Sequence, residues 1–374
     1  MSLLVSIPVL IVFLYVTIIA LYSFKLSQIK NSGHGNPSGT TRVSLVIPFR
    51  NEGENLGGLV QDLLVQTFPA DLFQVIFVDD HSEDDSMKAI EPLIANRTGF
   101  SCLSLPENKH GKKEALRYGI EKVENDWIIQ VDADCRIGER FLASHMNHLN
   151  KHPSDLVAGL VTTYKNSNRF LETFERMDLL SLSGVGAASF FFKRPMMCSG
   201  ANLSFSKDLY IQTRSYDPSE SVSSGDDMFL MIGARKLGRS LTFNLATDSV
   251  VRTTPVDNLP CYLKQRVRWG AKTPYYRQWD IQLLAILVVL TNVAVLICPV
   301  WVLSFSGTWP WLLGIWVAKT FADGSLIFRT AGFTKQKLSI KWFLLASIVY
   351  YPVFLMILIR SVFGQSGWKE RIPK

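Results

Sequence analysis

Three clusters of acidic residues each stand at the end of a short apolar run. Arg50-Asn51-Glu52 follows 43–48, Asp79-Asp80-His81 ends and follows 74–79, and Asp132-Ala133-Asp134 closes 127–132. A single carboxylate in such a place is commonly a helix N-cap. Three sets at one sheet edge offer different chemistry. Hard divalent cations such as Mg2+ or Mn2+ take carboxylate and phosphate oxygens together. A cation so held neutralises the charge that develops as a bond to a diphosphate breaks. Asp132 and Asp134 are the candidates to hold a ribose and a metal. For this D-x-D pair taken alone, the cap reading stands beside the catalytic one.

Two further segments carry polar groups at the start of a helical stretch. Asn108-Lys109-His110-Gly111-Lys112-Lys113 suits a phosphate, because helix N-termini favour anions, and it equally suits a solvated turn. Gly225-Asp226-Asp227 precedes the apolar run Met228–Ile232 and a helix expected over 228–238. Capping and catalysis are compatible at such a position, since a base at a helix start is rigidly held.

The elements that must position these groups are legible in the apolar pattern. Strands are expected at 43–48, 74–79, 100–105 and 127–132, with helices at 53–66, 84–97 and 111–123 between them. Apolar strands alternating with helices indicate an α/β fold, a parallel sheet covered on both faces. Ligands of such sheets bind beyond the carboxyl ends of the strands, where the acidic clusters lie.

Hydrophobic residues make up 48% of the 374-residue chain and concentrate at its two ends. Residues 3–24 carry no charge and meet the roughly 20 apolar residues that a span requires. No Lys or Arg precedes Lys25, so an uncleaved anchor is favoured over a signal peptide. Three more apolar stretches lie at about 281–303, 309–328 and 342–362. Within the middle one, Lys319 and Asp323 share a helical face, as a bundle-facing pair or in a re-entrant segment. Lys25, Lys30, Arg42, Arg266, Arg268, Lys272 and Arg277 flank the central region and place it in the cytoplasm. The uncharged 304–308 link suits the outside, and the 329–341 link, with Arg329, Lys335, Lys337 and Lys341, suits the inside. Four full spans would put the basic tail Lys369–Lys374 outside; a cytoplasmic tail would require one segment not to cross.

The resulting domain plan is an anchor at 1–25, a Gly/Ser/Pro linker at 26–42, a cytoplasmic catalytic domain at 43–278 and a C-terminal membrane region with its tail at 279–374. The net charge of +7 forms no basic stripe with interleaved aromatics, which argues against nucleic acid as partner. Cys102, Cys135, Cys198, Cys261 and Cys298 show neither C-x-x-C spacing nor an even count, and are read as reduced thiols. Residues 169–192 carry an apolar face (Phe170, Leu171, Phe174, Met177, Leu180, Leu182) and form either a core helix or one lying on the membrane surface.

Taken in order, Val43-Ser-Leu-Val-Ile-Pro-Phe-Arg-Asn-Glu52, Val78-Asp-Asp-His-Ser82, Gly111-Lys112, Asp132-Ala-Asp134, Ser199-Gly-Ala-Asn202, Gly225-Asp-Asp227 and Gln265-Arg-Val-Arg-Trp269 resemble the family-2 glycosyltransferases of GT-A (Rossmann-like) fold. The likeness is to membrane-embedded members with a Q-x-x-R-W motif, such as cellulose, hyaluronan and poly-N-acetylglucosamine synthases, and to ceramide-glucosyltransferase-like enzymes. Gly367-Trp-Lys-Glu-Arg371 is similar to a W-K-G-R tail, with Glu370 in place of the glycine. The resemblance implies that Pro48, Glu52, Asp79 and Asp80 contact the nucleoside, and that Lys112 and Asp132 contact phosphate or ribose. It further implies that Asp134 binds Mg2+ or Mn2+, that Asp227, beside Asp226, is the base, and that Gln265, Arg268 and Trp269 serve the diphosphate and acceptor.

The expected reaction is an inverting transfer from a nucleoside-diphosphate sugar, a UDP-sugar being expected, to a membrane lipid or growing glycan. A processive polysaccharide synthase is the alternative, acting as a homo-oligomer or with a partner subunit. A catalytically dead membrane scaffold and a nucleotidyltransferase are the other readings. The intact acidic and Q-x-x-R-W residues speak against the scaffold, and Q-x-x-R-W against the nucleotidyltransferase.

Overall fold

The computed structural model describes residues 3–29, 41–164, 169–217, 225–304 and 309–363. Most of the expected linker, the 305–308 link and the tail from 364 onward, with Gly367–Arg371, lie outside them.

The strands are β1 (Val43–Phe49), β2 (Phe73–Asp79), β3 (Phe100–Ser104), β4 (Trp127–Gln130) and β5 (Cys135–Arg136). They continue with β6 (Leu156–Gly159), β7 (Val161–Thr163), β8 (Leu203–Ser206), β9 (Leu241–Asn244) and β10 (Val251–Thr253). The helices are α1 (Leu3–Ser27), α2 (Gly53–Leu64), α3 (Ser86–Ile94), α4 (Lys112–Lys122), α5 (Phe141–Lys151) and α6 (Phe170–Phe191). After them come α7 (Lys207–Thr213), α8 (Asp226–Lys236), α9 (Leu259–Gly270), α10 (Trp279–Ser304), α11 (Trp309–Thr334) and α12 (Ile340–Phe363). They form two compact units: a sheet unit over Asn31–Asn166 and Phe190–Pro255, and a helical unit over Met1–Lys30, Ser167–Ser189 and Val256–Ser366.

In the sheet unit, seven strands are ordered β3-β2-β1-β4-β8-β6-β9. The first four are mutually parallel. The near-continuous apolar sequences of β1, β2 and β4 fit burial on both faces, and every residue of β1 is buried, whereas β3 at the sheet edge is partly exposed. β8 is antiparallel to both β4 and β6, so the sheet is mixed rather than wholly parallel. The reason is where β8 begins: Leu203 pairs with Gln130, the last residue of β4, so a strand starting at that edge must run back against it. A second sheet, β5-β10-β7, sets Thr253 opposite Cys135.

Helix α2 buries Leu56, Leu59, Val60 and Leu63, the i, i+3, i+4, i+7 stripe of an amphipathic helix. Helix α4 approaches β1 and β2 so closely that a Cβ on Gly119 would stand 2.5 Å from Val46 Cγ1 and 2.9 Å from Val78 Cγ2. This glycine sets the depth at which α4, and Lys112 at its start, rest on the sheet.

In the helical unit, α1, α10, α11 and α12 contain four segments long and apolar enough to cross a membrane. Helix α11 continues to Thr334, so Arg329, expected in a link, is helical and donates Nε to Ser23 Oγ at 3.3 Å. Lys319 Nζ meets Asp323 Oδ2 at 2.7 Å, the paired form of this intrahelical couple. Helix α6 is a core helix of the unit: its Phe174, Met177 and Leu180 are buried with Tyr262, Leu263, Phe343 and Ala346. The Q-x-x-R-W sequence lies on α9, which starts at an Asn258 side chain accepting from Cys261 N–H, with Pro260 in the first turn.

Candidate active site

The acidic clusters meet where the parallel strands end. Phe49 pairs with Asp79, and Asp80 N–H donates to Phe49 C=O at 2.9 Å, so Pro48, Asp79 and Asp80 share the ends of β1 and β2. Asn51 and His81, the residues just past these ends, have left-handed φ of 51° and 54°. Asparagine and histidine enter that region more readily than most non-glycine residues, and such sparsely populated backbone conformations cluster at functional sites. Asn51 Oδ1 accepts Glu83 N–H at 2.8 Å, and Ser82 Oγ accepts Asn51 N–H at 3.0 Å, so the two turns lock each other. Asp79 Oδ1 accepts Ser82 N–H at 3.0 Å, and fully buried Asp80 accepts Gly111 N–H at 3.1 Å. Asp80 thereby ties the lysine-rich turn to the sheet edge.

Lys112 Nζ lies 2.6 Å from Asp132 Oδ1. Burial opposes the Lys112 charge, but Asp132, Asp226 and Asp227 outweigh it and raise its pKa. Glu52 acts on Asp134 from the other direction. Burial, then Asp132 and Glu52, push the Asp134 carboxyl up to about 6. The sheet unit therefore collects Glu52, Lys112, Asp132, Asp134, Asp226 and Asp227 into one electrostatic cluster, with carboxylates in excess of cations.

The supports of these groups were not evident in the sequence. Thr253 Oγ1 donates to Asp134 Oδ2 at 3.0 Å, and Thr254 Oγ1 to Asp134 C=O at 3.1 Å and Asn55 Oδ1 at 3.0 Å. Asn55 in turn donates to Glu52 Oε2 at 2.7 Å, completing a chain from one carboxylate to the other. Gln130 Nε2 donates to Asp226 Oδ2 at 3.0 Å. Asp227 Oδ2 accepts Gly200 N–H and its Oδ1 accepts Met228 N–H, both at 2.8 Å. Two backbone donors fix the direction of this carboxylate. The cradle is tight, because a Cβ on Gly200 would lie 2.7 Å from Gln130 Nε2. Arg50 stands at the same strand end, outside the expected set of contacts. It is buried and ion-paired to Glu83 at 2.8 Å, yet its Nε and Nη1 lack partners among the described residues.

On α9 of the helical unit, Gln265 Oε1 accepts from Arg266 Nη1. Arg266 Nε donates to Asp178 Oδ2 at 2.5 Å, and Tyr262 Oη to the same oxygen at 2.9 Å. Burial works against the Arg266 charge, but Asp178, with Tyr262 and Glu175, more than offsets it. The guanidinium stacks 4.2 Å from the Trp269 ring centre and 4.6 Å from that of Tyr262. Arg266, between the motif's named positions, is thus the residue that orders Gln265 and Trp269; Arg268 lies in the last turn of the helix.

The donor chemistry of the sheet-unit cluster fits a hard divalent cation. Asp132 and Asp134 offer carboxylate oxygens, and their mutual repulsion, visible in Asp134, is what a cation relieves. A second group, Asp80, His81 and His110, brings three donor atoms within 4.8 Å of one another. Its two imidazoles suit a softer transition ion rather than Mg2+.

Known proteins agree with this architecture. The model of the family "Glycosyl transferase family 2" matches residues 44–213. An N-acetylglucosaminyltransferase of Rhizobium meliloti (strain 1021) is 25% identical over 241 residues, covering 62% of this chain and 55% of its own. Glycosyltransferase AglE of Haloferax volcanii is 25% identical over 229 residues, 61% of this chain and 71% of its own. The chain thus spans about half the length of the first relative. The solved structure of mannosyltransferase PcManGT from Pyrobaculum calidifontis, in complex with GDP-Man and Mn2+, superposes at a TM-score of 0.57 and 13% identity over 98% of this chain and all of its own. That likeness is one of fold. The mixed sheet, β9 apart, lies with the carboxylates at its strand ends in the 44–213 segment that matches glycosyl transferase family 2, and its fold is of the GT-A type.

Proposed function

We propose that the protein is an inverting, membrane-bound transferase that moves a sugar from a UDP-sugar to a membrane lipid or growing glycan. The observation that carries this reading is the carboxylate-rich cluster with Lys112 at its centre, at the strand ends of a family-2 domain. In this reading Pro48, Glu52, Asp79 and Asp80 line the nucleoside, and Lys112 supplies positive charge to the donor phosphates. Asp132 and Asp134 hold Mg2+ or Mn2+, an ion that the PcManGT complex also carries. When bound, that ion screens the negative charge that accumulates on the departing diphosphate. Asp227, aimed by Gly200 and Met228, takes the proton of the acceptor hydroxyl as its oxygen attacks the anomeric carbon. Asp226, which accepts from Gln130 Nε2, stands beside it as the second carboxylate of the pair. Gln265, Arg268 and Trp269 keep the diphosphate and acceptor roles that the resemblance gives them.

The four apolar helices support a bilayer location, with the sheet unit cytoplasmic by its flanking basic residues. The test is nucleotide release by detergent-solubilised protein with Mn2+, a panel of nucleotide sugars and membrane lipid extract. One donor is expected to respond, and Asp227→Asn is expected to lose transfer by roughly 100-fold to 10,000-fold while still binding that donor. Release from no donor by folded protein overturns the reading. The size of the product separates lipid glycosylation from polymer synthesis.

A further inference from the structure

The helical unit holds a half-open cavity of about 80 Å3. Its polar lining includes Tyr15, Asp178, Ser181, Lys319, Asp323 and Tyr350, beside the apolar Phe174, Ile327 and Phe343. At this size it admits several waters or a small head group. Buried charges in an apolar helix are costly and mark functional sites by default.

The hydrogen-bond inventory of the lining decides what fits. Lys319 is spent: it is ion-paired to Asp323 and sits 5.1–5.5 Å from the ring centres of Tyr15, Tyr350 and Tyr351. Asp323 Oδ1 accepts the Tyr15 hydroxyl at 2.7 Å. Asp178 directs both of its bonds through Oδ2, to Tyr262 and Arg266, and its Oδ1 has no partner among the described residues. Both carboxylates of the lining are already ion-paired, Asp323 to Lys319 and Asp178 to Arg266, so the one cation of the lining is not left for an anion. A phosphate, which offers only acceptors and negative charge, is disfavoured. A neutral group that donates hydrogen bonds is matched.

We propose that this cavity binds the uncharged, hydroxyl-bearing head group of a bilayer lipid, and that the acceptor belongs to this lipid class. The proposal rests on the transferase reading for the word acceptor, but not for the binding. It gives Asp178 two tasks. One oxygen receives the lipid hydroxyl, and the other holds Arg266, which stacks on Trp269. Occupancy of the cavity is thereby communicated to the Q-x-x-R-W helix through one carboxylate.

The experiment places a benzophenone side chain at Ser347, a partly exposed position on the cavity wall, in the full-length protein. The labelled protein is reconstituted in phosphatidylcholine nanodiscs containing one tenth diacylglycerol or one tenth phosphatidic acid with the same chains. After irradiation, adducts are quantified by mass. Diacylglycerol is expected to be enriched at least fivefold over its share of the bilayer, and Asp178→Asn to reduce that enrichment. Enrichment of phosphatidic acid, or adducts in proportion to bilayer composition, overturns the proposal. Binding of UDP-sugars is measured on the same preparation. Its absence would strike the transferase reading and leave the lipid site standing, whereas proportional adducts with intact donor binding would do the reverse.

Discussion

Removing the charge of Asp134 should stabilise the metal-free protein while abolishing its metal response. Burial, Asp132 and Glu52 push this carboxyl from an ordinary 3.8 up to about 6. One pKa unit corresponds to about 1.4 kcal/mol, so the ionised form carries a penalty of at most about 3 kcal/mol. The sign follows from proton counting. Between about pH 4 and 6 the folded chain holds a proton that the unfolded chain has released, so stability falls as pH rises through this window and levels above it. Asp134→Asn lacks the penalty and can still accept from Thr253 Oγ1. It should match the wild type near pH 4 and exceed it at pH 7.5 by up to about 3 kcal/mol. For a domain of this size that is roughly 6–12 °C in melting midpoint. The assay is thermal unfolding in detergent with chelator from pH 4.5 to 7.5, repeated with Mn2+. Mn2+ should raise the wild-type midpoint and leave the variant unmoved. A variant no more stable than wild type at pH 7.5, or a difference that does not vary with pH, would refute the argument that these carboxylates repel one another in a site built for a cation.

Lys112→Met removes the cation that Asp132, Asp226 and Asp227 share. Loss of a charged donor to phosphate is worth about 1.5–3 kcal/mol, so calorimetric affinity for the donor should fall roughly 10-fold to 100-fold; unchanged affinity would reduce Lys112 to a partner of Asp132. Gly119→Ala drives a methyl into Val46 and Val78. Overpacking of this kind typically costs about 1–3 kcal/mol, to be read as a lower denaturation midpoint. Burial holds the His145 imidazole down to about 4; its Nε2–H donates to Asn202 Oδ1 at 3.1 Å and its Nδ1 pairs with Ser204 Oγ at 3.2 Å. The unfolded chain takes up a proton below about pH 6.5 that folded His145 refuses. Stability contributed by the neutral ring is therefore full above pH 6.5 and lost as pH falls toward 4. His145→Gln should flatten that part of the stability curve, as measured by urea unfolding at stepped pH.

What the sequence disclosed, and what it withheld, divides along the range of the interaction involved. β1 to β4 and the helices between them are readable because their apolar runs are continuous and their ends are polar, both local properties. The direction of β8 is not, since four residues, Leu203–Ser206, contain nothing that says which way they pair; the Ser199–Asn202 turn at the site edge decides it. Likewise β5, β7 and β10 are two or three residues long and exist only through one another. The carboxylates at the strand ends were found because charge there has no local compensation. Their supports were missed because Gln130 and Asp226, or Asp134 and Thr253, stand about a hundred residues apart.

Helix α6 shows the same limit from the other side. Its apolar face is plain in the sequence, whereas nothing local marks Glu175, Arg176 and Asp178 on the same helix, all three of which are buried or partly buried. Asp178 finds its cation 88 residues later, at Arg266. A lone charge in a sequence is therefore ambiguous, being either solvated or neutralised by a partner that the sequence does not point to. Lys319 and Asp323 escape the ambiguity because they are four residues apart on one helix and supply their own compensation. That is also why their presence in an apolar segment carries weight: a chain that needed only to span a bilayer there would have spent neither charge.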